Sequence, residues 1–127
     1  MNPNELMRAP HKEIIFKQSG SAHMILAYHT LGNGTCFGGV RLLSADAGEQ
    51  GLKDALRLSE AMTYKLALID APYGGCKAVV FVPKSGKTKE FLRDVGRLIE
   101  EERGRFVSAI DFGFEPDDSK IIKETTS

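Results

Sequence analysis

The feature that most constrains this chain is its alternation of apolar runs with two amphipathic segments. Over residues 49–69, Leu52, Ala55, Leu56, Ser59, Met62, Leu66 and Ile69 recur at steps of three and four, while Lys53, Asp54, Arg57 and Glu60 take the other faces. That period predicts an amphipathic helix. PYGG (72–75) breaks it, and KAVVFV (77–82) is a continuous apolar run, as in a strand covered on both faces. After a PKSGK turn, residues 88–103 predict a second helix with Phe91, Leu92, Val95, Leu98 and Ile99 inward and Thr88 as N-cap. RFVSAI (105–110) reads as a strand. EPDDSKIIKETT (115–126) opens with proline and acidic residues, which suit a helix N-terminus.

Upstream, KEIIFKQ (12–18) and AHMILAYHT (22–30) read as strands of a hairpin. LGNGTCFGG (31–39) holds four glycines in nine residues and reads as a loop, and VRLL (40–43) as a brief strand. The order β-β-(β)-α-β-α-β-α predicts an α/β fold: an open, mostly parallel mixed sheet with an N-terminal hairpin and helices on both faces.

A length of 127 residues accommodates one domain. Lys+Arg equals Asp+Glu at 17 each, which argues against nucleic acid or an anionic membrane bound through bulk charge. No apolar run approaches the ~20 residues of a bilayer span. The opening MNPNELMRAPHKE lacks the apolar core of a secretory signal, so a cytoplasmic location is expected. Cys36 and Cys76 form no Cys-x-x-Cys and are expected to stay reduced. His11, His23 and His29 show no ligand spacing, and no metal site is expected.

Three residues stand out chemically. Lys65 has Ala61, Met62, Leu68 and Ile69 as its neighbours at three and four positions along the helix. Either its ammonium reaches a carboxylate, or its stem packs while its head reaches water, which is the simpler reading of the helix alone. Lys77 follows Gly74-Gly75-Cys76 and opens the apolar strand. A lysine desolvated at such a rim becomes a usable base, although a solvent-facing strand end is the simpler reading of the residue alone. Asp111 follows the last strand and precedes Phe112-Gly113. Ligands of open α/β sheets sit outside the carboxyl ends of strands, yet Asp before glycine-containing turns is common. SGKT (85–88) lacks the glycine that a phosphate-cradling loop needs five positions before Gly86, where Phe81 stands. No G-x-G-x-x-G occurs.

Taken in order, GGVR (38–41), MTYK (62–65), GGCK (74–77) and IDFG (110–113) resemble the amino-acid dehydrogenases acting on glutamate, leucine, phenylalanine and valine. LRLSEAMTYK and IIKETT resemble the leucine dehydrogenase branch. The resemblance covers residues 12–126. Four motifs agreeing in order and spacing are specific, where any one alone would be weak. Family members have an N-terminal domain that binds substrate and forms the oligomer interface, then a Rossmann domain that holds NAD or NADP. Only the first has a counterpart here, so the resemblance implies that the cofactor-binding domain is absent from this chain.

The resemblance also implies roles. Lys65 would pair with the substrate α-carboxylate. Lys77 would be the catalytic lysine, assisting water attack on the imino acid formed after hydride transfer and then stabilising the carbinolamine. Asp111 would shuttle protons at the substrate nitrogen. Gly38, Gly39 and Gly75 would line the pocket with backbone, and Met62 would border it. Glutamate-acting members carry a lysine just before the paired glycines, where this chain has Phe37. An acidic side chain beside that ring would lose solvation without compensation, so an apolar or aromatic substrate is expected. Leu42, Leu66, Ile110 and Phe114 replace the family's usual Met, Asn, acidic residue and Thr, and make the cleft more apolar.

The function so implied is the substrate-binding half of an NAD(P)-dependent enzyme that reversibly deaminates an apolar L-amino acid to its 2-oxo acid. The half-enzyme is expected to be inactive alone, to form a homo-oligomer, and to require a separate Rossmann domain. The alternative is a stand-alone amino- or keto-acid binding or oligomerisation module without catalysis.

Overall fold

The computed structural model describes residues 11–110 and 116–124. The elements run β1 (Glu13–Ser19), β2 (Ala22–Tyr28), β3 (Cys36–Ser44), α1 (Gly48–Leu68), β4 (Gly74–Val82), α2 (Lys89–Glu100), β5 (Phe106–Ile110) and α3 (Pro116–Glu124). They form one five-stranded sheet in the order β1-β2-β4-β3-β5. β1 pairs antiparallel with β2, and β2 with β4, while β3 pairs parallel with both β4 and β5. The α/β reading with an N-terminal hairpin therefore holds, in a mixed sheet whose pairings divide evenly between parallel and antiparallel.

Helices cover both faces because the central strands are apolar on both. On one face Met24, Leu26 and Val80 pack with Phe91, Leu92 and Val95 of α2, and Ile122 of α3 joins the same cluster. On the other, Ile25, Ala27 and Val79 pack with Ala55 of α1. All five residues expected to face inward on α2 are buried. Thr88 caps that helix as expected, its hydroxyl oxygen accepting from the Phe91 amide at 3.0 Å. None of the described helices is long and apolar enough to cross a membrane.

Four local readings need correction. The glycine-rich segment does not stay a loop up to residue 39, because Cys36, Phe37, Gly38 and Gly39 already belong to β3. Glycine is a poor strand former, but here its lack of a side chain permits the pairing: a Cβ on Gly38 would lie 1.8 Å from the Cys76 carbonyl oxygen. β4 likewise begins at Gly74, earlier than the apolar run alone indicates. On α1 the buried face is Gly51, Asp54, Ala55, Ser59, Thr63 and Leu66. Ala55, Ser59 and Leu66 face inward as expected, whereas Ile69 lies just past the helix, 73% exposed. Asp54, expected on another face, is 4% exposed. Gln50 donates to it at 2.7 Å, and Arg41 and Arg57 each approach at 3.4 Å. Burial would raise its carboxyl, but these donors outweigh burial and hold it below the ordinary range.

A second polar cluster ties the end of α2 to the hairpin. Glu102 accepts from Lys17 Nζ at 2.7 Å, Tyr28 hydroxyl at 2.6 Å and Arg105 Nη2 at 2.9 Å. The Arg105 guanidinium also lies 4.1 Å from the Tyr28 ring centre and donates to Glu13 at 2.8 Å. Burial works to raise the Glu102 carboxyl, yet hydrogen bonds from Lys17, Tyr28 and Arg105 with the Lys17 charge bring it down to about 2.

These contacts set the expected cost of three substitutions. Gly38→Ala should lower the free energy of unfolding in urea by about 3 kcal/mol, since the new methyl group meets backbone rather than a movable side chain. Gly48→Ala, at a position with no atom within 4 Å of the added carbon, should be neutral within ~0.5 kcal/mol. For Glu102, the ordinary carboxyl value is 4.5 and the folded one about 2. Its contribution is therefore fully present above pH 4.5 and is lost as pH falls toward 2. Glu102→Gln should cost about 2 kcal/mol at neutral pH and flatten the acid limb of a stability–pH curve. Parallel curves for the two proteins would refute the assignment.

Candidate functional site

Four of the candidate residues, Phe37, Gly39, Gly75 and Lys77, share the α1-facing side of β3 and β4. Strand alternation puts Phe37 and Gly39 on one side of β3 and Gly38 on the other. Phe37 pairs with Gly75 and Arg41 with Val79, so the same register sets Gly39 alongside Lys77. Gly39 also pairs with Ala109 of β5. The surface around Lys77 is thus low on its β3 side, where Gly39 has no side chain.

Lys77 itself is 7% exposed. It pairs with Ala27 of β2 and rises between two contacts with α1: Gly75 against Thr63 and Ser59 below, and Val79 against Ala55 above. The sheet and the helix shield most of this side chain from water. Gly75 is bare for a packing reason, because a Cβ there would lie 2.2 Å from Thr63 Oγ1 and 2.3 Å from the Thr63 backbone nitrogen. Gly38 serves the opposite face, against Cys76, so of the two paired glycines Gly39 is the one on the side of Lys77.

Phe37 is half-buried and meets Tyr73 edge-on, with ring centres 4.4 Å apart and planes at 60°. Tyr73 is 37% exposed, so the pair presents an aromatic wall at the start of β4. The sequence reading missed Tyr73. Its position in a PYGG break marks a turn, and nothing in the local pattern signals an aromatic partner on the neighbouring strand.

Lys65 and Met62 lie near the C-terminal end of α1. Met62 is half-buried and Lys65 exposed. Lys65 sits two residues, or about 200°, around the helix from the strand-facing Thr63. The helix therefore does not put Lys65 on its strand-facing side, and its apolar neighbour Ile69 is itself exposed. Asp111 lies outside the described residues.

Cys36 and Cys76 are free and buried. Burial pushes both thiols up, which makes them poor nucleophiles at neutral pH. Among the described residues no group of three His, Cys, Asp or Glu could hold a metal ion. A dinucleotide does not fit the glycine-rich segment either, which connects β2 to β3 and not a strand to a helix N-terminus.

Comparison with known proteins gives the family of the chain. Residues 11–127 match the family model described as Glu/Leu/Phe/Val dehydrogenase, dimerisation domain. The chain is 38% identical over 118 residues to an L-tryptophan dehydrogenase from Nostoc punctiforme, covering 91% of the chain and 33% of that protein. It is 35% identical over 124 residues to a leucine dehydrogenase from Bacillus cereus, covering 95% of the chain and 34% of that protein. The crystal structure of L-tryptophan dehydrogenase from Nostoc punctiforme superimposes with a TM-score of 0.85 at 36% identity, over 97% of this chain and 38% of that one. The chain thus spans about a third of the length of the curated relatives it matches. With the family model covering nearly all of its residues, the chain belongs to the Glu/Leu/Phe/Val dehydrogenase family and corresponds to that family's dimerisation domain.

Proposed function

We propose that this chain is the substrate-binding domain of an amino-acid dehydrogenase, acting in the cytoplasm on an apolar L-amino acid and the corresponding 2-oxo acid. The observation that carries the reading is Lys77: a lysine 7% exposed, rising beside side-chain-free Gly39 and two residues from Gly75, which pairs with Phe37 of the aromatic wall. A buried amine next to open backbone suits a group that works on a small carbonyl compound. An apolar substrate side chain would lie against Phe37 and Tyr73, where a carboxylate would find no counter-charge on the ring.

In this reading Lys65 reaches from the end of α1 to the substrate α-carboxylate. Lys77 holds and transfers a proton at the water that adds to the substrate carbon. Asp111 exchanges a proton with the substrate nitrogen. Gly39, Gly38, Gly75 and Met62 shape the pocket, Gly38 and Gly75 by letting strand and helix approach. NAD or NADP would be bound by a separate Rossmann domain, and the hydride step belongs there. The whole of residues 1–127 then forms one substrate-binding and oligomerisation domain that does not turn over alone.

A self-association role accompanies this reading. β1 is an edge of the sheet, and Phe16 projects from it 69% exposed. An exposed aromatic on an open strand edge suits pairing with a second copy, so a homo-oligomer is expected. Phe16→Glu should shift the chain toward monomer in sedimentation analysis. An unchanged assembly would place the interface elsewhere.

The functional reading is tested with the chain alone and with the chain fused to an NAD(P)-binding Rossmann domain. NADH oxidation is followed with ammonium and branched, aromatic or acidic 2-oxo acids. The expected outcome is no turnover by the chain alone and turnover of apolar 2-oxo acids by the fused protein. Lys77→Ala should lower kcat by about 10³-fold with an unchanged circular dichroism spectrum. Phe37→Lys should shift preference toward an acidic 2-oxo acid by roughly 10-fold or more. Turnover by the chain alone would remove the need for a second domain. Full activity of Lys77→Ala would refute its role.

A further inference from the structure

Resting on the reading of Lys77 above, we infer that Thr63 is a positioning residue whose hydroxyl, through His29 and Thr30, fixes the Gly75 backbone and thereby the placement of the Lys77 amine. Thr63 stands within MTYK without a role assigned to it there, and His29 and Thr30 lie outside the four motifs.

Both backbone polar groups of Gly75 are held by two consecutive residues at the end of β2. The His29 amide donates to the Gly75 carbonyl at 2.8 Å. The Gly75 amide donates to Thr30 Oγ1 at 3.2 Å. The side chains of the same two residues then converge on one atom. Thr63 Oγ1 lies 2.9 Å from His29 Nδ1 and 3.3 Å from Thr30 Oγ1. Thr63 in turn donates to the Ser59 carbonyl at 3.3 Å, one turn back on α1. The result is a closed ring of contacts with Gly75 on one side and Thr63 on the other.

The proton inventory of this ring balances. With Gly75 N–H donating to Thr30 and Thr63 O–H to Ser59, a Thr30 O–H turned to Thr63 aligns the hydroxyls in one direction so that they reinforce each other. Thr63 oxygen retains a second lone pair, which accepts from His29 when the ring carries its proton on Nδ1. His29 and Ser59 are fully buried and Thr63 is 3% exposed. His11 extends the cluster: its Nε2 lies 3.0 Å from Ser59 Oγ and 2.9 Å from the Leu56 carbonyl, and its ring meets His29 edge-on at 4.9 Å.

Van der Waals contact alone would hold α1 against β4 in a range of positions. A threonine hydroxyl with three partners specifies one. Gly75 has no side chain to resist sliding under the helix, so the ring is the device that sets where β4 starts. Lys77 is two residues further along the same face, and any slip at Gly75 is transmitted to its amine.

The test compares Thr63→Val, which keeps shape and loses the hydroxyl, with Thr63→Ser, which keeps the hydroxyl. Two readouts are taken on the 127-residue chain: the Kd for phenylpyruvate by calorimetry, and the Lys77 ε-CH2 resonance, assigned by its loss in Lys77→Arg. The expected result is roughly 10-fold weaker binding for Thr63→Val, within about 3-fold of the parent for Thr63→Ser, and a displaced Lys77 resonance only in the former. Parental binding and resonance in Thr63→Val would overturn the inference. So would equal losses in both variants, which would assign the effect to packing. If Thr63→Val fails to fold, Thr30→Val is read by the same criteria. If the parent chain binds no phenylpyruvate, the proposed function is what fails. The Lys77 resonance then decides the positioning claim alone, displaced with serine rescue in its favour and undisplaced against it.

Discussion

The rest of this structure depends on how closely β4 is approached from its two sides. β3 comes within reach of the Cys76 carbonyl only because Gly38 is bare, and α1 settles onto the opposite face only because Gly75 is bare. Two missing side chains therefore decide the spacing of a strand against its neighbour and of a helix against its sheet. Once that spacing is set, the apolar strands are sealed on both faces, and Lys77 is caught between contacts that would otherwise leave it in water.

Polar groups do the specifying around this apolar frame. Burying Asp54, Glu102, Thr63 and His29 would be costly without partners, and each is found with donors or acceptors at hydrogen-bond distance or close to it. Their distribution is not uniform. Glu102 and Arg105 secure the hairpin to the far end of α2, away from Lys77, and serve stability. Thr63, His29 and Thr30 lie at the entry to β4, where an ångström of slip would matter to the chemistry proposed for the site.

Much of the fold was legible because its elements are long and strongly periodic. Phe91, Leu92, Val95, Leu98 and Ile99 announce α2 and its inward face without ambiguity, and all are buried. The continuous run of KAVVFV required cover on both faces, and it has it. The errors have local causes. Cys36 to Gly39 reads as a loop because glycine content is a statement about intrinsic preference, whereas the pairing of those residues with β4 and β5 is a tertiary fact. On α1, hydropathy counted Ile69 inward and Asp54 outward, since no residue pattern records that Arg41 of β3 would meet Asp54.

The sequence by itself determined the class of fold, the family and the residue types available for chemistry, because periodicity and motif order are one-dimensional properties. Lysines two positions after Thr63 and after Gly75 are visible in the string of letters. Only the tertiary structure decided that Lys77 is buried while Lys65 is exposed, that Tyr73 joins Phe37, and that Thr63 rather than Met62 faces the strand. Burial, ring contacts and shared hydrogen bonds arise between residues distant in sequence. They come into being only when the sheet closes around β4.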